Sequence, residues 1–149
     1  MRLFRSFSGN STSVRLNGER TFLRPPVERD WRSYAEIRAA SRQFLEPWEP
    51  TWPSDALSRD AFYRRLNRYA SDWRNDTGYS MFVFGQESGA LLGGISLSNV
   101  RRGVAQCGTL GYWIGEDFAG QGYMREGLGL LLGFCFSELG LHRVEAACL

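Results

Sequence analysis

One short segment, residues 119–125 (Ala-Gly-Gln-Gly-Tyr-Met-Arg), constrains the fold more than any other part of this chain. It lies between a strand-like run, residues 109–114, and a helix-like apolar run that continues to residue 139. A glycine-rich turn at a helix start leaves several backbone N–H groups unbonded, and the helix macrodipole adds partial positive charge there. The segment therefore predicts a site for a phosphate or diphosphate, as in a nucleotide-like or coenzyme A-like molecule.

The composition excludes several classes of site. All 18 basic residues are arginine, because the chain has no lysine, and this excludes a P-loop lysine and a Schiff-base lysine. The net charge of +2 is too small to favour DNA or another nucleic acid as the main partner. A length of 149 residues with 43% hydrophobic content predicts one domain around one core.

The cysteines and the apolar runs indicate the compartment. Cys107, Cys135 and Cys148 are scattered and form no Cys-x-x-Cys pair, so we expect neither a disulfide framework nor a metal site, and a reducing cytoplasmic location. The longest strongly apolar run, residues 128–136, is far shorter than the roughly 20 residues of a membrane helix. The sequence predicts no membrane span.

The first half of the chain predicts a hairpin and two helices. Most of residues 1–12 are polar or small, and the segment is predicted to be a disordered tail, so the domain covers residues 13–149. Asn17-Gly18 between two short apolar runs predicts a type I′ hairpin, because both positions tolerate positive φ. Helical spacing predicts helices over residues 27–41 and 58–76. Three prolines predict a non-helical loop over residues 47–53.

The second half predicts three strands, a helix and a last strand. The strands cover residues 80–86, 91–100 and 105–114, and they should be antiparallel because no helix separates them. A helix over residues 122–139 and a strand over 141–149 follow, which predicts a parallel pair joined by a right-handed crossover. The expected fold is α+β, with a mixed, mostly antiparallel sheet and flanking helices.

The glycine turn leaves alternatives open. Arg125 stands where a dinucleotide-binding fingerprint needs its third glycine, and antiparallel strands precede the turn. Both features disfavour a nucleotide-binding dehydrogenase. Taken alone, the two glycines equally fit a tight strand-to-helix connection that binds nothing.

The wider pattern resembles a known family. Its motifs are residues 111–115 (Gly-Tyr-Trp-Ile-Gly), 120–126 (Gly-Gln-Gly-Tyr-Met-Arg-Glu), 139–146, 23–26 (Leu-Arg-Pro-Pro) with Asp30, and 44–48 (Phe-Leu-Glu-Pro-Trp). From about residue 14 onward, the chain resembles the Gcn5-related N-acetyltransferase (GNAT) superfamily, and within it the RimJ/RimL branch of ribosomal-protein N-terminal acetyltransferases. The resemblance implies the three-layer α/β acyl-CoA N-acyltransferase fold. Ala119 departs from the glutamine or arginine that is common there.

The resemblance implies a cosubstrate and its site. Acetyl-CoA would bind with its pantetheine arm along one strand and its diphosphate on the turn, and no metal is implied. The residues concerned would be Tyr112, Trp113, Ile114, Gly120, Gln121, Gly122, Tyr123, Met124 and Arg125. The acceptor would be a primary amine, above all the N-terminal amine of a ribosomal protein, attacking directly without a covalent enzyme intermediate.

The sequence identifies the residues that would bind the acceptor less specifically than those that would bind acetyl-CoA. Glu145 is the candidate catalytic base, and the alternative is a surface carboxylate paired with Arg143. Phe44, Glu46 and Trp48 are predicted to form the substrate pocket, although tryptophans in this loop equally fit the core. Two other functions stay open: a non-catalytic CoA-binding or interaction module, and an acetyltransferase for small-molecule amines.

Relatives in the family continue beyond the strand that ends at residue 149. The resemblance therefore leads us to expect that the C-terminal part of the domain is missing, after its fifth main strand, and that this chain alone is weakly active. An uncovered terminal strand would also permit pairing between copies, as in a homodimer.

Overall fold

A sheet of six strands runs through residues 14–146, the part of the chain that the computed structural model describes. The strands are β1 (Leu16–Asn17), β2 (Thr21–Arg24), β3 (Tyr79–Gly85), β4 (Leu91–Arg101), β5 (Cys107–Ile114) and β6 (Arg143–Ala146). The helices are α1 (Trp31–Ala40), α2 (Arg42–Leu45), α3 (Arg59–Arg74) and α4 (Tyr123–Ser137). The predicted tail, Cys148 and residues 147–149 of the predicted last strand lie outside the described residues.

Strand order in the sheet follows the chain, from β1 to β6. Every neighbouring pair from β1 to β5 is antiparallel, and β5 and β6 are parallel. The mixed, mostly antiparallel sheet predicted from the sequence is therefore confirmed, as is the parallel pair on either side of α4. None of the helices within residues 14–146 has both the length and the apolar character that a membrane crossing requires.

Helices cover both faces of the sheet, because alternate residues of the central strands point to opposite sides. In β3, Met81 and Val83 pack with Leu131 of α4. Phe82 and Phe84 of the same strand pack on the other face, against a cluster that includes Tyr34 of α1 and Phe62 of α3. The helix α4 therefore lies on one face of the sheet, and α1 and α3 lie on the other. The turn before α4 directly follows β5.

The predicted type I′ turn between β1 and β2 is wrong. The hairpin is present, but neither Asn17 nor Gly18 has positive φ, and the connection runs through Gly18, Glu19 and Arg20. Close packing accounts for the glycine instead: a Cβ on Gly18 would lie 2.9 Å from Glu126 Oε2. Gly18 is therefore explained by the approach of α4 and not by the turn type.

Two helix predictions also need correction. The single helix expected over residues 27–41 is a 3-10 turn, Glu28–Asp30, followed by α1, and the chain then continues into α2. Residues 47–53 were predicted to be non-helical, yet a 3-10 turn covers Glu46–Trp48. Pro47 is compatible with it because proline at the first turn lacks only an N–H that has no partner inside the helix.

Candidate active site

The connection from β5 to α4 takes a shape that requires glycine. A 3-10 turn, Glu116–Phe118, follows β5, and two residues then have left-handed backbone: Gly120 with φ +70° and Gly122 with φ +84°. Residues with a Cβ rarely adopt this conformation. Gly122 is the residue that precedes the first turn of α4, so the glycines fix where the helix begins and which way its N-terminus faces.

The N-terminus of α4 carries a run of unbonded backbone N–H groups. Within residues 14–146, the six N–H groups from Gly120 to Arg125 donate to no acceptor, and the first helical donor is Glu126, whose N–H bonds Gly122 O at 3.1 Å. Gly120, Gln121 and Gly122 are exposed. These donors and the positive end of the helix dipole together form a cradle that suits an anion with several oxygens.

Side chains near the turn leave the cradle open. Met124 packs against the hydrophobic cluster beneath α4, and so does Tyr123. Gln121 donates from Nε2 to Asp117 O at 2.8 Å, which braces the turn from within. The predicted residues from Gly120 to Arg125 are therefore gathered at one exposed helix end.

Arg20 adds a cation that the sequence did not reveal. Its Nη1 donates to Gln121 O at 2.8 Å, and its guanidinium lies 4.1 Å from the centre of the Tyr123 ring. Arg20 comes from the β1–β2 connection, about a hundred residues earlier in the chain. Only the packing of that hairpin against α4 could identify it.

Glu126 fastens the hairpin to the same helix end. It accepts hydrogen bonds from the N–H of Arg20, at 3.2 Å to each oxygen, and from the hydroxyl of Thr21. Burial raises the pKa of this carboxyl, but the bonds from Thr21 and Arg20 outweigh burial and hold the pKa below its ordinary value. The carboxylate is thus committed to β2 and leaves the amides of the turn free.

The end of β5 offers an open edge beside the turn. β6 pairs with β5 only from Cys107 to Leu110, so residues 111–114 have no partner on that side among the described residues. Gly115 N–H bonds Leu92 O of β4 at 2.8 Å. Because successive residues of a strand turn their polar groups to opposite edges, Tyr112 and Ile114 turn theirs to the open edge.

A cavity of about 300 Å³ adjoins this edge, between the sheet and the helices α1 and α3. Its floor includes Gly111, Tyr112 and Trp113 of β5. The walls come from α1, α3 and the segment after the 3-10 turn, and the polar residues among them are Tyr34, Arg38, Glu49, Arg65 and Tyr69. The cavity and the turn thus meet the same strand.

Arg38 and Glu49 form the most enclosed ion pair of the cavity wall. Arg38 is 8% exposed, and its two terminal nitrogens bond the two Glu49 oxygens at 2.5 and 3.2 Å. The guanidinium lies 4.6 Å from the centre of one Trp52 ring and 4.9 Å from the centre of one Trp113 ring. The pair connects α1 to the loop before α3 and so shapes the cavity.

The predicted pocket residues Phe44, Glu46 and Trp48 do not line this cavity. Trp48 is 70% exposed, Phe44 is 36% exposed, and Glu46 pairs with Arg42 at 2.7 Å on the surface. The loop does contribute, but through Glu49 and Pro50. The role of Phe44, Glu46 and Trp48 in acceptor binding stays a prediction.

Glu145, the candidate base, is exposed and forms an ion pair with Arg143 at 2.5 Å. Val144 packs against the cluster beneath α4, so strand alternation turns Glu145 to the face that carries the cavity. In the parallel register it lies beside Thr109, two residues before Gly111. The position is near the cavity, but Glu145 is not part of its lining.

The Cys135 thiol is inaccessible to a substrate. Cys135 is fully buried, and burial raises the pKa of its thiol to about 11. No three side chains of histidine, cysteine, aspartate or glutamate gather at a possible metal site within residues 14–146. In the described part of the chain, the turn and the cavity wall present backbone amides, hydroxyls, arginines and one carboxylate.

This chain is similar to known proteins in sequence and in structure. Residues 20–149 match a family model described as "Acetyltransferase (GNAT) domain". The chain is 28% identical over 131 residues to the probable N-acetyltransferase YjcK of Bacillus subtilis. It is also 28% identical over 140 residues to the [ribosomal protein uS5]-alanine N-acetyltransferase of Escherichia coli. These alignments cover 88% and 94% of this chain and 72% of each relative.

Among solved structures, Mycobacterium smegmatis RimJ in complex with CoA-disulfide is similar, with a TM-score of 0.80 and 27% identity. The match covers 86% of this chain and 62% of that protein. The chain thus spans between about three fifths and three quarters of the length of these relatives.

Proposed function

This chain belongs to the GNAT acetyltransferase family of acyltransferase enzymes, and from that premise we propose that it moves an acetyl group from acetyl-CoA to a primary amine. The acceptor in this proposal is the N-terminal amine of a protein, as the name of the uS5-alanine relative indicates for that enzyme. The observation that carries the proposal is the run of six unbonded N–H groups at the start of α4.

The residues present fit the cosubstrate. Acetyl-CoA supplies the acetyl group as a reactive thioester when it is bound. In our proposal the N–H groups from Gly120 to Arg125 hold the diphosphate, with Arg20 adding a positive charge beside them. The open edge at Tyr112 and Ile114 pairs with the amides of the pantetheine arm, and one N–H there polarises the thioester carbonyl.

The protein contributes to this reaction mainly by positioning the amine and the thioester. An α-amino group has a pKa near ~7.7–8.0, so a sizeable fraction is already neutral at neutral pH. Its nitrogen attacks the carbonyl carbon, the C–N bond forms, the C–S bond breaks, and the nitrogen loses a proton. Glu145 is the proposed acceptor of that proton. The fully buried Cys135 makes an acyl-cysteine intermediate at that residue unfavourable.

A CoA-binding module without turnover is the competing function, and one observation favours it. Glu49 is the one carboxylate that lines the cavity within the described part of the chain, and both of its oxygens are already bonded to Arg38. Glu49 is therefore not free to take a proton from an acceptor.

Mass spectrometry of acceptor peptides separates the two functions. One peptide has a free N-terminus, and its matched control has an acetylated N-terminus and one internal lysine. We expect an added acetyl group on the first peptide only. CoA binding without acetylation of either peptide would favour the non-catalytic module, and the absence of CoA binding would contradict both functions.

A pair of variants tests whether the turn binds CoA. Gln121→Glu places a negative charge at the cradle, whereas Gln43→Glu makes the same change on the exposed face of α2. We expect the first variant to weaken CoA binding about tenfold or more and the second to leave it unchanged.

A further inference from the structure

The cavity beside β5 presents hydrogen-bond donors in excess of free acceptors. Its wall carries two guanidinium groups, Arg38 and Arg65, and two phenol groups, Tyr34 and Tyr69. Glu49 is the single acidic residue of the lining within the described chain. The charges of Arg38 and Glu49 cancel, which leaves the cavity with the positive charge of Arg65.

Three bonds already occupy most of the acceptor capacity of Glu49. Its oxygens accept bonds from both terminal nitrogens of Arg38, at 2.5 and 3.2 Å, and from Trp52 Nε1 at 2.9 Å. A cationic ligand such as a polyamine would therefore meet an arginine without meeting a free carboxylate. This argues against acceptors with several positive charges.

Arg65, in contrast, has no carboxylate partner within residues 14–146, and its guanidinium lies 5.9 Å from the centre of the Tyr34 ring. Its Nη1 donates to Tyr69 Oη at 3.3 Å, and no carboxylate among the described residues forms an ion pair with it. The guanidinium is half-buried, on the cavity side of α3. A partly desolvated guanidinium fork with free N–H groups favours a carboxylate, which it can bind at two points.

The wall of the cavity also contains polar groups without hydrogen-bond partners among the described residues. Arg38 Nε is buried and has no hydrogen-bond partner, although the residue lines the cavity. A buried N–H of this kind costs free energy unless a ligand or water bonds it. The hydroxyl of Tyr34, whose side chain is also buried, donates to no acceptor within residues 14–146.

We propose that this cavity selects acceptors that carry a carboxylate close to the reacting amine, and that Arg65 is the residue that makes the selection. The inference rests on the proposed acetyl transfer, because it assigns the cavity to the acceptor. Gly111 and Tyr112 belong to the same lining as Arg65, so the cavity joins the proposed carboxylate site to the open edge of β5. The volume of about 300 Å³ suits one or two amino-acid residues.

Two sources of that carboxylate have the same chemistry: a free amino acid, and an acidic side chain that follows a peptide N-terminus. Two matched ligand pairs distinguish them by calorimetric titration, with and without CoA. The first pair is alanine and alaninamide, and the second is Ala-Glu-Ala-amide and Ala-Gln-Ala-amide. We expect the carboxylate member of one pair to bind about tenfold more tightly than its amide partner, and that pair identifies the source.

Variants at α3 test the role of Arg65. Arg65→Gln should reduce the discrimination to about twofold or less, and Arg65→Lys should restore part of it because the charge returns without the planar fork. Arg68→Gln, an exposed position on the same helix, should leave the discrimination unchanged. Thermal unfolding of each variant verifies that it is folded.

Three results would overturn the inference: equal or tighter binding of the amide in both pairs, no binding of any ligand, or discrimination that survives Arg65→Gln. Selective carboxylate binding without acetyl transfer would count against the proposed function and leave the selectivity of the cavity standing. Different measurements therefore test the two proposals: ligand binding tests the selectivity of the cavity, and acetyl transfer tests the proposed function.

Discussion

The turn before α4 and the cavity beneath α1 and α3 are both polar, but they are built from different parts of the chain. The turn consists of consecutive residues, and its donors are backbone N–H groups. The cavity takes side chains from α1, α3, a loop and three strands. A site made of backbone depends on glycines and tolerates changed side chains such as Ala119, whereas a site made of side chains depends on each of them.

The two regions also differ in the free-energy cost of their polar groups. The N–H groups of the turn are unbonded at an exposed helix end, where water can solvate them. Arg38 is buried among aromatic rings and requires Glu49 to balance its charge. We therefore expect changes in the cavity to reduce stability, and changes in the turn to reduce binding with little effect on stability.

The largest expected effect is on stability, at the cavity. Arg38→Leu leaves Glu49 without its partner in a largely enclosed position, and should lower the free energy of unfolding by about 3 kcal/mol. Arg42→Leu breaks the exposed pair with Glu46 and should cost less than about 1 kcal/mol. Urea unfolding of the two variants measures the difference. Equal losses would remove the distinction between the enclosed pair and the exposed one.

The next effect is on binding, at the turn. Asparagine and aspartate both tolerate left-handed backbone, so Gly122→Asn and Gly122→Asp differ mainly in charge. The aspartate should weaken CoA binding about 100-fold, or about 2.7 kcal/mol, relative to the asparagine. It should not lower stability relative to the asparagine, because a negative charge at a helix N-terminus interacts favourably with the helix dipole. Calorimetry and urea unfolding test both parts, and equal CoA affinity in the two variants would contradict the diphosphate site.

The smallest effect is a pH dependence at the junction of hairpin and α4. The pKa of Glu126 is held below its ordinary value of 4.5, so the folded state gains stability from its charge above that pH. This contribution is lost as the pH falls through the lowered pKa. Glu126→Gln should flatten the loss of stability in urea unfolding below about pH 5. An unchanged slope would mean that Glu126 does not couple the hairpin to the helix.

The turn could be predicted from the sequence because the residues that form it are consecutive. Glycines at fixed spacing between a strand and a helix are visible without a structure, and the element order and the sheet class followed from periodicity. Arg20 could not be found in this way, since only tertiary packing brings it to Gln121.

The cavity was harder to predict for the same reason. Its charged residues, Arg38, Glu49 and Arg65, belong to three separate segments and have no common motif. The sequence favoured Glu46 and Trp48 in the right loop, but the 3-10 turn through Pro47 leaves both on the surface. Loop orientation, not residue type, decided which carboxylate lines the site.

Amide chemical shifts offer the most direct test of the diphosphate site. We would titrate ¹⁵N-labelled protein with CoA and, separately, with pantetheine, which lacks the diphosphate. CoA should shift the amide resonances of Gly120 to Arg125, and pantetheine should leave them in place while shifting those of Tyr112 and Ile114. Bound CoA that leaves the resonances of residues 120–125 unchanged would show that these amides do not hold the diphosphate.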